Sequence, residues 1–430
     1  MDKTQLLESL QHLIETYAEH HLLQPFDPGK PVVRLHEPTY GAGEIWEALD
    51  SLLSTRVTMG EKVRRFEREY GDYARLPHAI MVNSGSSANL LAVAALSNPA
   101  TPDRLRPGDE VIVPALSWST TVWPLIQCGL IPVIVDVDPE TLNIAPEQVE
   151  RAIGPRTRGI MPVHVYGNAC DMDALSSIAR QHSLILIEDC CEALGTRYQG
   201  KLVGSFGRVG AFSFYFSHHI TTLEGGMCVT ADEELADLMR ILRAHGWVRE
   251  AQNRDHYIEQ YPEFDPKFLF VNLGYNLRVT ELQGGFGSVQ LRKLQSFIDV
   301  RTENARYFRK EFAPYMDCFE IQKPTPKSDH SWFGFPMLIR ESAPFTRLEL
   351  TRYLNERGIE TRPLIAGNIA AQPAMRHYEH RIVGKLPVAD RVMRTGFTFG
   401  NHQAVDKAAR AYVSATVHEF MQARAMGLKV

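Results

Sequence analysis

From about residue 80 to 230, short apolar runs alternate with stretches of helical periodicity. Ile80-Met81-Val82, Glu110-Val111-Ile112-Val113 and the runs at 131–137, 159–165, 184–189, 211–216 and 227–230 read as strands. Positions 86–96 and 120–127 carry helical patterns between them. Near-continuous apolar strands separated by helices predict a mostly parallel sheet covered on both faces, an α/β architecture. Ligands of such sheets sit at the carboxyl ends of the strands, where the polar residues of interest fall.

Beyond the sheet region the pattern predicts a helix over 232–245 and a long one from 280 past 301 towards 312. Lys323-Pro324-Thr325-Pro326-Lys327-Ser328-Asp329 is proline-rich and charged and is read as a lobe boundary, with the long helix able to join the lobes. A strand over 332–339 and a helix over 347–356 follow. At the start, Leu6, Leu7, Leu10, Leu13, Ile14 and Tyr17 recur at helical spacing, broken by Glu, Gln and His. That is an amphipathic helix rather than a signal peptide or a membrane span. The expected division is a helical extension (1–34), a large domain (35–315) and a small C-terminal domain (316–430).

The 430 residues suffice for a large core and two lobes. Hydrophobic content of 44% and charged content of 23% place the chain among soluble globular proteins. A net charge of −5 argues against general affinity for nucleic acid or acidic membranes. Six cysteines occur, with no C-x-x-C pair, so neither a zinc site nor a redox dithiol is signalled. They read as buried thiols of a cytoplasmic protein.

Four segments carry candidate chemistry. Asn83-Ser84-Gly85-Ser86-Ser87-Ala88-Asn89 follows a strand and opens a helix. Small residues there admit a phosphate to backbone amides, with Ser86 and Ser87 as hydroxyl donors; a plain N-cap turn is the alternative. Trp118, after the next strand, can lie flat on a bound ring or serve as a core or interface aromatic. Ile187-Glu188-Asp189-Cys190-Cys191-Glu192 ends a buried strand with acids. Asp189 is the candidate partner of a pyridine nitrogen and Glu192 of a ring hydroxyl.

The fourth segment is Phe214-Tyr215-Phe216-Ser217-His218-His219-Ile220-Thr221-Thr222-Leu223-Glu224-Gly225-Gly226. In their order and spacing these pieces resemble the aspartate-aminotransferase-like fold, the type I fold of pyridoxal-phosphate (PLP) enzymes. The fourth resembles the Schiff-base segment of the nucleotide-sugar aminotransferase and dehydrase family (DegT/DnrJ/EryC1/StrS type), with His218 where the lysine belongs. The resemblance covers about residues 35–405. Lysine bonds covalently to the cofactor aldehyde; imidazole forms no stable imine. No lysine occurs from residue 202 to 266, so a register slip cannot restore the tether. Adjacent histidines lack the i, i+3 or i, i+4 spacing of a helical metal pair, and no metal is expected.

Within the family, histidine here marks the 3-dehydrases, one kind of which carries an iron–sulfur cluster. The corresponding region, Gly246-Trp247-Val248-Arg249-Glu250-Ala251-Gln252-Asn253-Arg254-Asp255, has no cysteine, so no cluster is expected. The chain is similar to the cluster-free kind at Val57-Thr58-Met59-Gly60-Glu61, Ser117-Trp118-Ser119-Thr120-Thr121, Arg243-Ala244-His245-Gly246-Trp247-Val248-Arg249, Ser331-Trp332-Phe333-Gly334-Phe335 and Gly400-Asn401-His402-Gln403. The resemblance implies further roles: Ser213 on the cofactor phosphate, Asn276 reaching a neighbouring subunit's phosphate, and a homodimer with active sites at the interface. It also implies Arg249 near the histidine, and Arg362 and Asn368 approaching a nucleotide-linked 4-keto sugar, with GDP favoured.

The expected reaction is C3 dehydration on untethered pyridoxamine phosphate (PMP), with His218 as acid and base and L-glutamate regenerating the amine. The alternatives are a C4 aminotransferase, and a lysine-lost B6-binding protein without catalysis.

Overall fold

The computed structural model describes residues 2–22, 24–37 and 39–428. Its main sheet has eight strands, in the order His78–Val82, Gly226–Thr230, Val209–Ser213, Ile185–Asp189, Thr157–Ile160, Glu110–Pro114, Ile131–Val135 and Arg381–Ile382. From Val209–Ser213 onward neighbours pair in parallel; Gly226–Thr230 runs antiparallel to both of its neighbours. Every residue of Glu110–Pro114, Ile131–Val135, Val209–Ser213 and Gly226–Thr230 is buried, because helices cover both faces. That is why these strands read as unbroken apolar runs rather than as alternation.

Several expected strands are shorter than their apolar runs. The regular ladder of the run 159–165 ends at Ile160, since Pro162 has no amide to give it; an isolated parallel bridge from Val163 to Asp189 follows, and Val165–Gly167 forms a 3-10 turn. The run 131–137 ends its ladder at Val135. The run 211–216 leaves the sheet at Ser213, where the Phe214 amide donates to the Gly225 carbonyl and the Thr222 amide to the Phe214 carbonyl, closing a loop. The run 332–339 is a strand only over Met337–Ile339, because Trp332 has φ of 50°, outside the extended region.

The long helix is Glu281–Glu311, 31 residues, about 46 Å at 1.5 Å per residue. It packs on Ala42–Leu53 and Glu61–Ala74. A Cβ on Gly284 would come 2.5 Å from the Val63 amide nitrogen, so only glycine lets these backbones approach. A four-stranded antiparallel sheet (Phe319–Ile321, Met337–Ile339, Gly396–Phe399, Thr361–Pro363) forms a second core with Arg347–Glu356 and Lys407–Ala425. Within 323–329, Ser328–Asp329 pairs with Arg197–Tyr198 and the Lys323 amide donates to the Glu140 carbonyl, so this segment is sewn to the large sheet's side. Lys3–His21 is a helix with a capping box between Asp2 and Gln5, and Leu6, Leu10, Leu13 and Tyr17 stay exposed. Among the described residues no helix is long and apolar enough to cross a membrane.

Candidate active site

A cavity of about 540 Å³ opens at the carboxyl ends of the parallel strands. Seven of the sequence-predicted residues line it: Ser86, Trp118, Asp189, Glu192, Ser213, His218 and Arg362. The sheet topology brings them together from five separate stretches of chain.

Ser84 follows the strand His78–Val82 and caps Gly85–Leu96, its hydroxyl accepting from the Ser87 amide at 3.1 Å. The helix N-terminus at Ser84, Gly85 and Ser86 faces the cavity. Amides of a first turn have no acceptor within the helix, and the dipole there favours an anion. Ser86 Oγ donates to Thr120 Oγ1 at 3.0 Å. A Cβ on Gly85 would lie 2.4 Å from Ser213 Cβ, so the helix start and the strand end touch across the cavity floor. Gly85→Ala is expected to destabilise by about 1–3 kcal/mol through overpacking. Helix propensity alone favours alanine by about 1 kcal/mol, so a net loss in urea unfolding reports the clash.

Asp189 ends the strand Ile185–Asp189 and is 3% exposed. Its Oδ2 accepts from Asn89 Nδ2 at 2.8 Å and Thr121 Oγ1 at 2.7 Å, and its Oδ1 accepts from the Cys191 amide at 3.1 Å. Three donors fix this carboxylate in one orientation. Trp118 is the N-cap of Ser119–Gln127 and is 54% exposed, an aromatic face presented to the cavity rather than a core side chain.

Glu192 accepts from the Tyr166 amide at 2.9 Å. Burial pushes its carboxyl up to about 7, against the lowering pull of that amide and of Arg362. Tyr166 itself is buried with φ of 55°, a left-handed backbone that a non-glycine residue holds only where the surroundings enforce it. Its hydroxyl accepts from the Ile365 amide at 3.4 Å, tying the wall of the large sheet to that of the small one.

His218 sits on the loop between Val209–Ser213 and Gly226–Thr230. The loop is held at its base by the Thr221 amide, which donates to Gln290 Oε1 on the long helix, and within by the His218 amide donating to the Tyr215 carbonyl. The imidazole meets the Phe333 ring edge-on at 4.9 Å and the Tyr215 ring at 6.1 Å. Removal from solvent lowers its pKa to about 4, with Arg362 and Arg301 adding to the fall and backbone groups of Cys191 and Ser213 opposing it. It is therefore neutral near pH 7, and its Nδ1 has no partner among the described residues. His219 is an interior residue, its Nε2 bonded to the Ser331 carbonyl at 3.1 Å. No lysine lines the cavity among the described residues.

Four expected residues lie elsewhere. The Ser87 hydroxyl is used inside the turn, donating to Asn83 Oδ1 at 2.6 Å. Arg249 and Asn276 line a separate hollow of about 240 Å³ with Trp247 and Arg278. There the Arg249 guanidinium lies 5.1 Å over the Trp247 ring, and Asn276 Oδ1 accepts from Arg278 Nε at 3.1 Å. Asn368 is buried, with its amide donating to Asp390 and its oxygen accepting from the Ala370 amide.

Sequence reasoning missed His36, Asn89, Thr121, Phe333 and Tyr166. Asn89 and Thr121 stood within quoted motifs, one helical turn beyond the residues singled out. Phe333 stood within the quoted motif 331–335 without being given a role, and His36 comes from a distant segment that no local signal marks.

Of the residues that can ligate a metal, His164, Glu188 and Cys190 cluster in the interior. Glu188 accepts from the amides of Gly204, Phe206 and Gly207, and His164 bridges it to the Cys170 amide. Hydrogen bonds within the chain account for that group.

The cavity fits a phosphorylated pyridine. A helix N-terminus with Ser86 and Ser213 suits the phosphate, Trp118 the ring face, Asp189 the ring nitrogen, and the unpartnered His218 Nδ1 a proton.

The chain is 42% identical over 355 residues to GDP-4-keto-6-deoxy-D-mannose 3-dehydratase of Yersinia pseudotuberculosis, covering 81% of this chain and 89% of that one. It is 37% identical over 434 residues to lipopolysaccharide biosynthesis protein RfbH of Salmonella typhimurium, covering 98% and 99%. The solved structure of E. coli GDP-4-keto-6-deoxy-D-mannose-3-dehydratase with bound hydrated PLP superposes with a TM-score of 0.83 at 35% identity, over 91% of this chain and 100% of that one. Residues 39–418 match the family model described as DegT/DnrJ/EryC1/StrS aminotransferase, and the chain belongs to that family.

Proposed function

We propose that this chain is a PLP/PMP-dependent 3-dehydratase of a GDP-linked 4-keto-6-deoxy sugar. One observation carries the reading: among the described residues an imidazole, and no lysine, stands in the cavity beside a fixed aspartate. The names of the relatives support the sugar and the nucleotide. The overall change balances as 4-keto sugar plus glutamate giving 3-deoxy-4-keto sugar, 2-oxoglutarate and ammonia.

Ser86, Ser213 and the helix N-terminus would hold the cofactor phosphate, with Trp118 available to its ring. When bound, the cofactor supplies an electron sink. Asp189, fixed by Asn89, Thr121 and Cys191, holds a proton at the ring nitrogen. His218 is neutral near pH 7 and takes up a proton as base, then returns it to the departing C3 oxygen. Arg362 offers a cation to the carboxylate of glutamate or to the nucleotide.

The hollow holding Arg249 and Asn276 serves the cavity of a second copy in a homodimer. Phe270 stacks on Trp247 of that hollow and, with Phe268 and Leu273 (91% exposed) on the same stretch of chain, leaves apolar surface of the kind a partner covers.

Product mass tests the reading. With glutamate, cofactor and GDP-4-keto-6-deoxymannose, the expected sugar is lighter by one oxygen and ammonia appears. A product retaining an amine at C4 establishes an aminotransferase instead, and an unchanged sugar with cofactor bound establishes a non-catalytic B6 protein.

A further inference from the structure

The long helix carries one guanidinium into the interior: Arg301 is 2% exposed. All of its hydrogen bonds end on neutral oxygens. Nη1 donates to the carbonyls of Trp332 at 3.4 Å, Phe333 at 2.9 Å and Asn401 at 2.6 Å, and Nη2 to Gln403 Oε1 at 3.2 Å. Its Nε has no partner among the described residues. Burial lowers its pKa to about 9, a sign of how poorly the charge is compensated. A buried charge without a counter-ion is costly, and an apolar side chain of similar volume fills a core at less expense. Core filling alone therefore does not account for arginine here.

Its partners show where it acts. The segment 331–333 is a strap with Trp332 at φ of 50°. The Ser331 carbonyl accepts from His219, and the Phe333 ring abuts the rings of His218 at 4.9 Å and His219 at 5.6 Å. Asn401 closes the set, donating to the carbonyls of Arg301 and Trp332. Guanidinium, strap and imidazole thus form one packed chain of contacts, with a positive charge at its inner end. The groups facing His218 from the cavity are Arg362, His36, Asp189, Glu192, Glu224 and the Cys191 thiol. From behind, His219 packs on the same Phe333 ring, and the Arg301 guanidinium approaches through the strap.

We propose that Arg301 is a positioning residue for His218: it pins the strap 331–333, whose Phe333 ring sets the imidazole's orientation in the cavity. This rests on His218 as the proton carrier, and the test separates the two claims. Arg301→Lys keeps the charge but offers one compact ammonium where the guanidinium forks across three carbonyls. Arg301→Met removes the charge as well.

Two readouts are taken on folded variants: steady-state kinetics of the holoenzyme, and the NMR titration of the His218 ring in the cofactor-free chain, assigned with His218→Asn. In Arg301→Lys, kcat falls about 10- to 100-fold with little change in KM, as a displaced proton carrier requires, while the titration midpoint stays low. In Arg301→Met the same fall in kcat is joined by an upward shift of the midpoint and of the acid limb of the rate profile. Parental kcat, acid limb and midpoint in a folded Arg301→Met overturn the proposal. If that variant does not fold, parental kcat in Arg301→Lys overturns it. A shifted midpoint with unchanged turnover also overturns the positioning role, leaving a charge coupling alone, and the turnover of His218→Asn decides separately whether His218 carries the proton.

Discussion

His218→Asn loses about 10²–10⁴-fold in sugar-dependent turnover, the range set by removing one positioned acid/base. Cofactor affinity stays within a few-fold, because the phosphate, ring and ring-nitrogen contacts come from Ser86, Ser213, Trp118 and Asp189. Asparagine keeps much of the volume against Phe333 and Tyr215, so the fold is retained. The measurements are kcat by product mass and cofactor binding by absorbance. Parental turnover in this variant ends the assignment. The pH dependence has a definite sign. With its pKa lowered from 6.5 to about 4, His218 is the free base through the neutral range, and turnover falls only as pH drops towards 4. The unfolded chain takes up this proton near 6.5, so stability falls as pH falls from 6.5 to 4. In His218→Asn that part of the acid sensitivity disappears.

Asp189→Asn carries the second-largest effect, and it is twofold. The carboxylate accepts three hydrogen bonds, from Asn89, Thr121 and Cys191. An amide has one acceptor oxygen and two N–H donors, so at least one of these donors meets another donor. The expected loss of stability is about 1–3 kcal/mol for each buried group left unpaired, read by denaturant unfolding. Turnover falls by about 10²–10³-fold, the typical cost of losing one preorganised electrostatic partner. Asp189→Glu keeps the charge but adds a methylene to a site bounded by Asn89 and Thr121. It is expected to recover ring protonation in the absorbance spectrum and not the full rate. A variant with parental rate and stability removes Asp189 from the mechanism.

Much of this was legible in the chain. The buried strands announced themselves because burial on both faces leaves no polar alternation to disguise them. The ends of those runs were misread where backbone chemistry overrode side-chain pattern. Pro162 has no amide for the ladder, and Trp332 takes a left-handed φ, while both sit within apolar stretches. Asp189 and Trp118 were found because they end or follow strands, where parallel sheets place ligands, and His218 because its segment resembles a family motif whose lysine it replaces. Asn89 and Thr121 were passed over although they hold Asp189, because a hydrogen bond between residues 100 and 68 positions apart leaves no mark in local sequence. Glu192 was legible as a strand-end acid; its rise to about 7 was not, since that depends on what covers it.

The sequence by itself determined the layered α/β order, the candidate acids and hydroxyls, and the replacement of a tethering amine by an imidazole. These are local properties: apolar runs, turn chemistry and residue identity at one position. Only the tertiary structure decided which of them share a cavity, that Arg249 and Asn276 lie in a different hollow, and that Asn368 turns to Asp390. It alone placed Arg301 behind Phe333 and His218, since burial, proximity and the cost of an uncompensated charge arise when distant segments close on one another.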